Sequence, residues 1–207
     1  MAEGAVRLLR FQDLPVMRWR NGGGVTREVA ASKDPDSGDE FRWRLSIATV
    51  SADGPFSSFV GIDRTIAVLA GRGMALQLAD RTVTLSTETE PFSFAGEAPV
   101  HAMILEGETT DLNAMTRRGW LTHTMRRLEG AMPIIGGADE TAIVFGGDTA
   151  VETPKGRLAA GRFDTLVGIA PGERITVSPE PGAPFHLVEF FQSEGHGKTR
   201  KRAEKPL

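Results

Sequence analysis

Residues 41–50 read FRWRLSIATV, and their alternation decides the fold class. Phe41, Trp43, Leu45 and Ile47 fall on one side of an extended chain, and Arg42, Arg44, Ser46 and Ala48 on the other. A period of two marks a β-strand with one buried face, because successive strand side chains point to opposite faces. Similar short runs follow along the chain: TIAVLAG, MALQLAD, RTVTLST, VHAMILEG, TAIVFGG, FDTLVGIAP, RITVSPE and FHLVEFFQ. The 24 glycines and 12 prolines separate them as turns. Many short strands at near-regular spacing predict an all-β sandwich or barrel with little helix. The best helical candidate is DLNAMTRRG (111–119), with Asp111 as a cap and Gly119 as a stop. SKDPDSGDE (32–40) reads as a surface loop by composition.

A weak internal echo points to duplication. Each half passes from a glycine-rich turn through strands to Ala-Pro-X-His and an apolar strand: APVHAMIL at 98–105 and APFHLVEF at 183–190. The fold expected is two jelly-roll or cupin-like barrels in one chain. The corresponding domains are 1–116, 117–194 and a basic, disordered tail, 195–207.

Charge narrows the function classes. The tail carries Lys198, Arg200, Lys201, Arg202 and Lys205 against Glu204, a net +4 that leaves −7 on the rest of a chain whose total is −3. An acidic body argues against a dedicated nucleic-acid binder. The absence of cysteine excludes disulfides, thiolate metal sites and cysteine nucleophiles. No run approaches the ~18 apolar residues of a membrane span, and MAEGAVRLLRFQDLP does not read as a signal peptide. The sequence therefore predicts a soluble, cytoplasmic protein.

The candidate site begins at WRNGGGVTREVA, residues 19–30. A phosphate-binding loop needs a lysine and a Ser/Thr after its glycines, at the start of a helix. VTREVA instead alternates Val25, Arg27 and Val29 against Thr26, Glu28 and Ala30, which is a strand. Two readings of the glycines remain open. One is a bend on which Trp19 packs. The other is a pocket rim, where backbone N–H groups meet an anion or carbonyl, Trp19 supplies a flat wall and Asn21 offers a donor and an acceptor. Strand arginines such as Arg27, Arg44 and Arg64 also have two readings. Each either pairs with an internal carboxylate or holds a ligand carboxylate through its planar fork.

Metal and nucleophile chemistry find little support. The four histidines are His101, His123, His186 and His196, with no His-X-His pair of the kind a metal-binding cupin uses. No Gly-X-Ser-X-Gly elbow occurs. No metal and no cofactor is expected.

WRNGGGVTREVA, FRWRLSIATVSADGPFSSFVGIDRTIAVLAGRGM and FAGEAPVHAMILEGETTDLNAMTRRG together resemble the HutD/Ves family, in order from about Trp19 to Gly119. The resemblance implies a bicupin fold. It also implies a link to histidine utilisation, with a small acid such as urocanate or N-formylglutamate bound for regulation rather than for clear catalysis. It would place Trp19, Asn21, Gly22, Gly23, Gly24, Thr26, Arg27, Glu28, Arg44, Ser46, Arg64 and Asn113 around the ligand. The expectation is thus a metal-independent small-molecule binder with a small carboxylate as its partner, no membrane or nucleic acid, and a homodimer as the plausible assembly. The alternative is a metal-free isomerase or hydrolase using the same pocket, with a desolvated carboxylate such as Glu28 as its acid–base group.

Overall fold

The alternation at 41–50 becomes a ten-residue strand in the computed structural model, which describes residues 6–33 and 41–193. The strands of the first half are β1 (Arg7–Leu9), β2 (Val16–Arg18), β3 (Gly24–Lys33), β4 (Phe41–Val50), β5 (Gly54–Pro55), β6 (Ile62–Ala70), β7 (Met74–Gln77), β8 (Thr82–Leu85), β9 (Phe92–Ala95), β10 (His101–Ile104) and β11 (Thr109–Arg117). Those of the second are β12 (Leu121–Leu128), β13 (Met132–Ile135), β14 (Glu140–Phe145), β15 (Thr149–Thr153), β16 (Gly156–Ala160), β17 (Thr165–Val167), β18 (Arg174–Pro179) and β19 (Phe185–Gln192). Among the described residues the only helical element is a 3-10 turn, Phe11–Asp13. The chain is all-β. The expected loop beyond Lys33 and the basic tail lie outside the described residues.

Four open antiparallel sheets result. Their orders are β2-β3-β4-β11-β6-β9, β5-β10-β7-β8, β1-β17-β14-β19-β12 and β13-β18-β15-β16. Alternation on the two central sheets builds three apolar layers. Ile66 and Val68 of the six-stranded sheet meet Met74, Leu76, Leu85 and Ala102 of the first four-stranded sheet. On its other face, Leu45, Ile47, Ala67, Leu112 and Ala114 meet Leu121, Val144, Val188 and Phe190 of the five-stranded sheet. That sheet turns Ile143, Phe145, Leu166, Phe185 and Leu187 onto Val151, Ile175 and Val177. The molecule is therefore two sheet pairs set back to back.

Strand order repeats between the pairs. The order β5-β10-β7-β8 matches β13-β18-β15-β16, and β4-β11-β6-β9 matches β12-β19-β14-β17. This correspondence sets β19 opposite β11, not β10. The two Ala-Pro-X-His segments are thus not equivalent: His101 opens β10, in a four-stranded sheet, whereas His186 lies in β19, between β14 and β12 of the five-stranded sheet. Strand β1 crosses over and pairs with β17, so the start of the chain extends the sheet built from the second half.

One expectation is overturned. DLNAMTRRG is not a helix; it forms most of β11, paired on one side with β4 and on the other with β6. Asp111, Asn113 and Met115 alternate with Leu112 and Ala114, and two flanking ladders outweigh the weak helix preference of so short a segment. Gly119 does stop the element, at φ +82° in the turn to β12.

Candidate functional site

Ser46 and Ala48 of β4, Arg64 of β6, and Asp111, Asn113 and Met115 of β11 share the face of the six-stranded sheet turned toward its smaller partner. Here the apolar packing gives way to a cavity of about 540 Å³. The residues leading into β3, Met17 to Asn21, form one wall, and Pro55 to Phe59 another. Two β-bulges adjoin the site. One interrupts the β3–β4 register between Glu28 and Ala30, and the other the β6–β11 register between Thr110 and Asp111. Bulges re-aim the side chains that follow them.

Arg64 dominates the cavity. It is 5% exposed, and its guanidinium carbon lies 5.0 Å from the Phe56 ring centroid, 5.6 Å from Phe59 and 4.9 Å from Phe94. Aromatic faces attract a cation electrostatically but give it no hydrogen-bond acceptor in the ring plane. Its Nη2 donates to Asn113 Oδ1 at 2.8 Å, while its Nε is buried without a partner. Burial lowers its pKa to about 10, against the opposing pull of Asp111. It stays charged at neutral pH.

Asn113 donates in turn from Nδ2 to Asp111 Oδ1. Asp111 is 1% exposed. Burial raises its pKa to about 7, and Arg64 pulls the other way. Arg44, also in the cavity wall, has Nε 2.9 Å from Glu28 Oε2, an ion pair outside hydrogen-bond geometry. The floor of the cavity thus holds an arginine, an amide and a carboxyl in sequence, with a second arginine beside its own carboxylate.

The expected residues divide. Trp19, Asn21, Thr26, Arg44, Ser46, Arg64 and Asn113 converge on the cavity. Glu28 reaches it only through Arg44. Arg27 points to the opposite face of β3, where it donates to the Leu14 carbonyl at 2.8 Å and stacks 4.7 Å over Phe11. Gly22 and Gly23 use their N–H donors in the turn itself. Gly22 N–H bonds Trp19 O at 3.1 Å, and Gly23 N–H bonds Asn21 Oδ1 at 3.1 Å. Gly22 has φ +72°, a conformation that favours glycine. At Gly24 a Cβ would lie 2.6 Å from Thr49 O and 3.1 Å from the Trp19 ring. Trp19 is fixed over this spot by its Nε1 bond to Thr26 Oγ1, at 2.8 Å. Gly22 and Gly24 line a separate recess of about 210 Å³ behind Trp19, and Gly23 lines neither.

Asp111 and the phenylalanines were missed from sequence. The alternation Asp111, Asn113, Met115 was the available signal, hidden by the helical reading. Among the described residues, no group of three or more His, Cys, Asp or Glu is placed to hold a metal ion, and no helix is long and apolar enough to cross a membrane.

Comparisons with known proteins bear on the family and on the fold. An uncharacterised 21.2 kDa protein in the hutC 3′ region of Pseudomonas putida is 37% identical over 138 residues, 63% of this chain and 72% of that one. Protein Ves of Citrobacter koseri is 39% identical over 109 residues, 52% of this chain and 56% of that one. The solved structure of HutD from Pseudomonas fluorescens SBW25 (formate condition) superimposes with a TM-score of 0.77 at 29% identity, covering 91% of this chain and 100% of that one. Salicylate 1,2-dioxygenase from Pseudoaminobacter salicylatoxidans shares the fold at a TM-score of 0.59 and 8% identity, over 91% of this chain and 83% of that one. The HutD family model matches residues 11–181, and the chain belongs to that family.

Proposed function

We propose that this protein binds a small carboxylate in the cavity between its first two sheets, without a metal, and serves a regulatory role in histidine utilisation. The observation that carries the reading is Arg64: a charged guanidinium, buried among aromatic rings, with one N–H edge unengaged. A buried donor left without a partner is costly. A ligand carboxylate would supply the acceptor, as a charge-assisted bond in a dry site. Trp19 would cover a flat ligand, and Ser46 and Asn21 would select among polar groups. Urocanate and N-formylglutamate are the acids proposed, in keeping with the hutC-region relative and the HutD match. The proposed setting is the cytoplasm. On the same reading the chain is a bicupin, with units 1–116 and 117–194; the repeated strand order supports it.

The test is calorimetry and thermal shift with each acid, followed by chemical recovery of the ligand. Binding of at least one, with the acid returned unchanged, is expected. Arg64→Ala is expected to weaken it about 10- to 150-fold, the equivalent of roughly 1.5–3 kcal/mol for a bond to a charged group, while the protein stays folded. Wild-type affinity in that variant would remove Arg64 from the site.

A second reading, metal-free acid–base catalysis on a small acid, is favoured by the placement of the Asp111 carboxyl in the cavity with a pKa near 7. Consumption of either acid by the wild type, lost in Asp111→Asn, would select it.

A further inference from the structure

We propose that the cavity takes up its carboxylate together with one proton, and that Asp111 is the group that receives it. The inference rests on the carboxylate-binding reading above and adds what governs that binding.

The charge inventory of the site leads to it. From the neighbouring strand β6 comes Arg64, coupled to Asp111 through the Asn113 amide. From β4 comes Arg44, already paired with Glu28 of β3. Arg18 and Arg20 stand among the wall residues before β3, and the wall segment from Pro55 to Phe59 carries no charge. With Asp111 ionised, the inner four groups balance: two guanidiniums and two carboxylates. A ligand carboxylate drawn to Arg64, whose buried Nε has no partner, adds a third anion beside the Phe56 and Phe59 rings. Two carboxylates sharing one guanidinium in such a place do not both stay ionised.

The proton settles on the weaker acid. An ordinary carboxylate ligand has a pKa of about 4. Burial has already raised Asp111 to about 7, and a second anion beside Arg64 raises it further. The step is a simple protonation: a solvent proton adds to a carboxylate oxygen of Asp111, and no other bond changes. The resulting O–H is a new donor inside the cavity. Asp111 then acts as a positioning residue that makes affinity depend on pH. Below about pH 6 it is protonated in the empty protein and affinity is flat. Above about pH 7 each bound acid must bring a proton, and affinity falls tenfold per pH unit once uptake is complete.

The experiment is calorimetry of the intact protein with N-formylglutamate and, separately, urocanate, in buffers of different ionisation enthalpy. Neither acid titrates near pH 8, so proton uptake there reports on the protein. Uptake approaching one proton per ligand is expected at about pH 8, declining toward zero at about pH 6. With N-formylglutamate, whose titrating groups are all carboxylates, Asp111→Asn is expected to take up none and to hold one Kd across this range; with urocanate the comparison is confined to about pH 8, clear of its imidazole. A carbon-13 NMR titration of the Asp111 carboxyl, run without and then with ligand, needs no variant. It is expected to show a midpoint near neutrality that rises on saturation with the acid. Binding at pH 8 with no proton uptake would overturn this proposal and leave carboxylate binding intact. An Asp111 midpoint in the ordinary carboxylate range would do the same. No binding of either acid at any pH would overturn both.

Discussion

The two sheet pairs share one strand order and differ in what lies between their sheets. In the second pair the space is filled: Ile143, Phe145, Leu166, Phe185 and Leu187 close against Val151, Ile175 and Val177. In the first pair the equivalent face carries Arg64, Asp111 and Asn113, and a cavity remains. The topological counterpart of β11, with its Asp-Leu-Asn, is β19, with Phe-His-Leu. One strand order thus encloses a packed apolar core in one pair and leaves a cavity in the other. The difference is made by a few inward-facing side chains, not by the backbone plan. A buried charge is tolerable only where a partner or ligand offsets its desolvation, and that requirement is what the proposed carboxylate would meet in the first pair.

This contrast can be broken most severely by opening the solid half. Phe185 is fully buried in it, and Phe185→Ala is expected to cost about 3–5 kcal/mol in urea unfolding. A loss below about 1 kcal/mol would show that this interior is not close-packed.

The seam between the pairs gives the next effect. His123 Nδ1 lies 2.8 Å from Thr116 Oγ1 and its Nε2 lies 2.8 Å from Thr65 Oγ1, so it ties β12 to β11 and β6. His186 has neither ring nitrogen partnered. Burial holds both near pKa 4; the charge of Asp63 opposes the shift at His123, and Arg127 reinforces it at His186. The unfolded chain would protonate each at about 6.5. Below that pH it binds protons that the native state refuses, so stability falls from about pH 6.5 to about 4, by roughly 3 kcal/mol for each histidine. Asp111 runs the other way: its native carboxyl keeps a proton that the unfolded chain releases, a cost that grows from about pH 4 to about 7. His186→Leu should match or exceed wild-type stability at pH 7, because an unsatisfied buried polar group is removed, and should lose less on acidification. An unchanged acid profile in urea titrations would count against this assignment.

The smallest effect sharpens the boundary of the site. Arg27 serves the Leu14 carbonyl and Phe11 on the far face of β3. Arg27→Ala is expected to lower stability by about 1 kcal/mol and to leave acid affinity unchanged. A loss of affinity as large as that of Arg64→Ala would place Arg27 in the binding chemistry after all.

Some of this was legible in the residues. FRWRLSIATV showed its own strand, and alternation put Arg44 and Ser46 on one face of it, while the family resemblance was what implied that they face a ligand. Trp19 and Asn21 were found through the glycine run, though the reason for the glycines differs. They let the chain turn and let Trp19 lie flat against β3 and β4, and Gly22 and Gly23 keep their N–H groups for the turn itself. Asp111 was hidden because a short Asp-Leu-Asn segment ending at glycine satisfies a helical cap as well as a strand. Only the ladders to β4 and β6 decide between them.

By itself the sequence determined the all-β class and the alternation of strands such as β4, which rest on local periodicity, and its motifs carried the resemblance to the family. It also supplied the polar residues that a cavity would need. The tertiary structure decided which of them meet: that Arg64, Asn113 and Asp111 form one linked series, that Arg27 turns away, and that one copy of the strand plan is hollow and the other filled. The physical reason is that burial and charge coupling depend on distances between residues far apart in the chain. Arg64 and Asp111 acquire their chemistry from each other and from the three phenylalanines of the Arg64 cage, and no local pattern encodes that meeting.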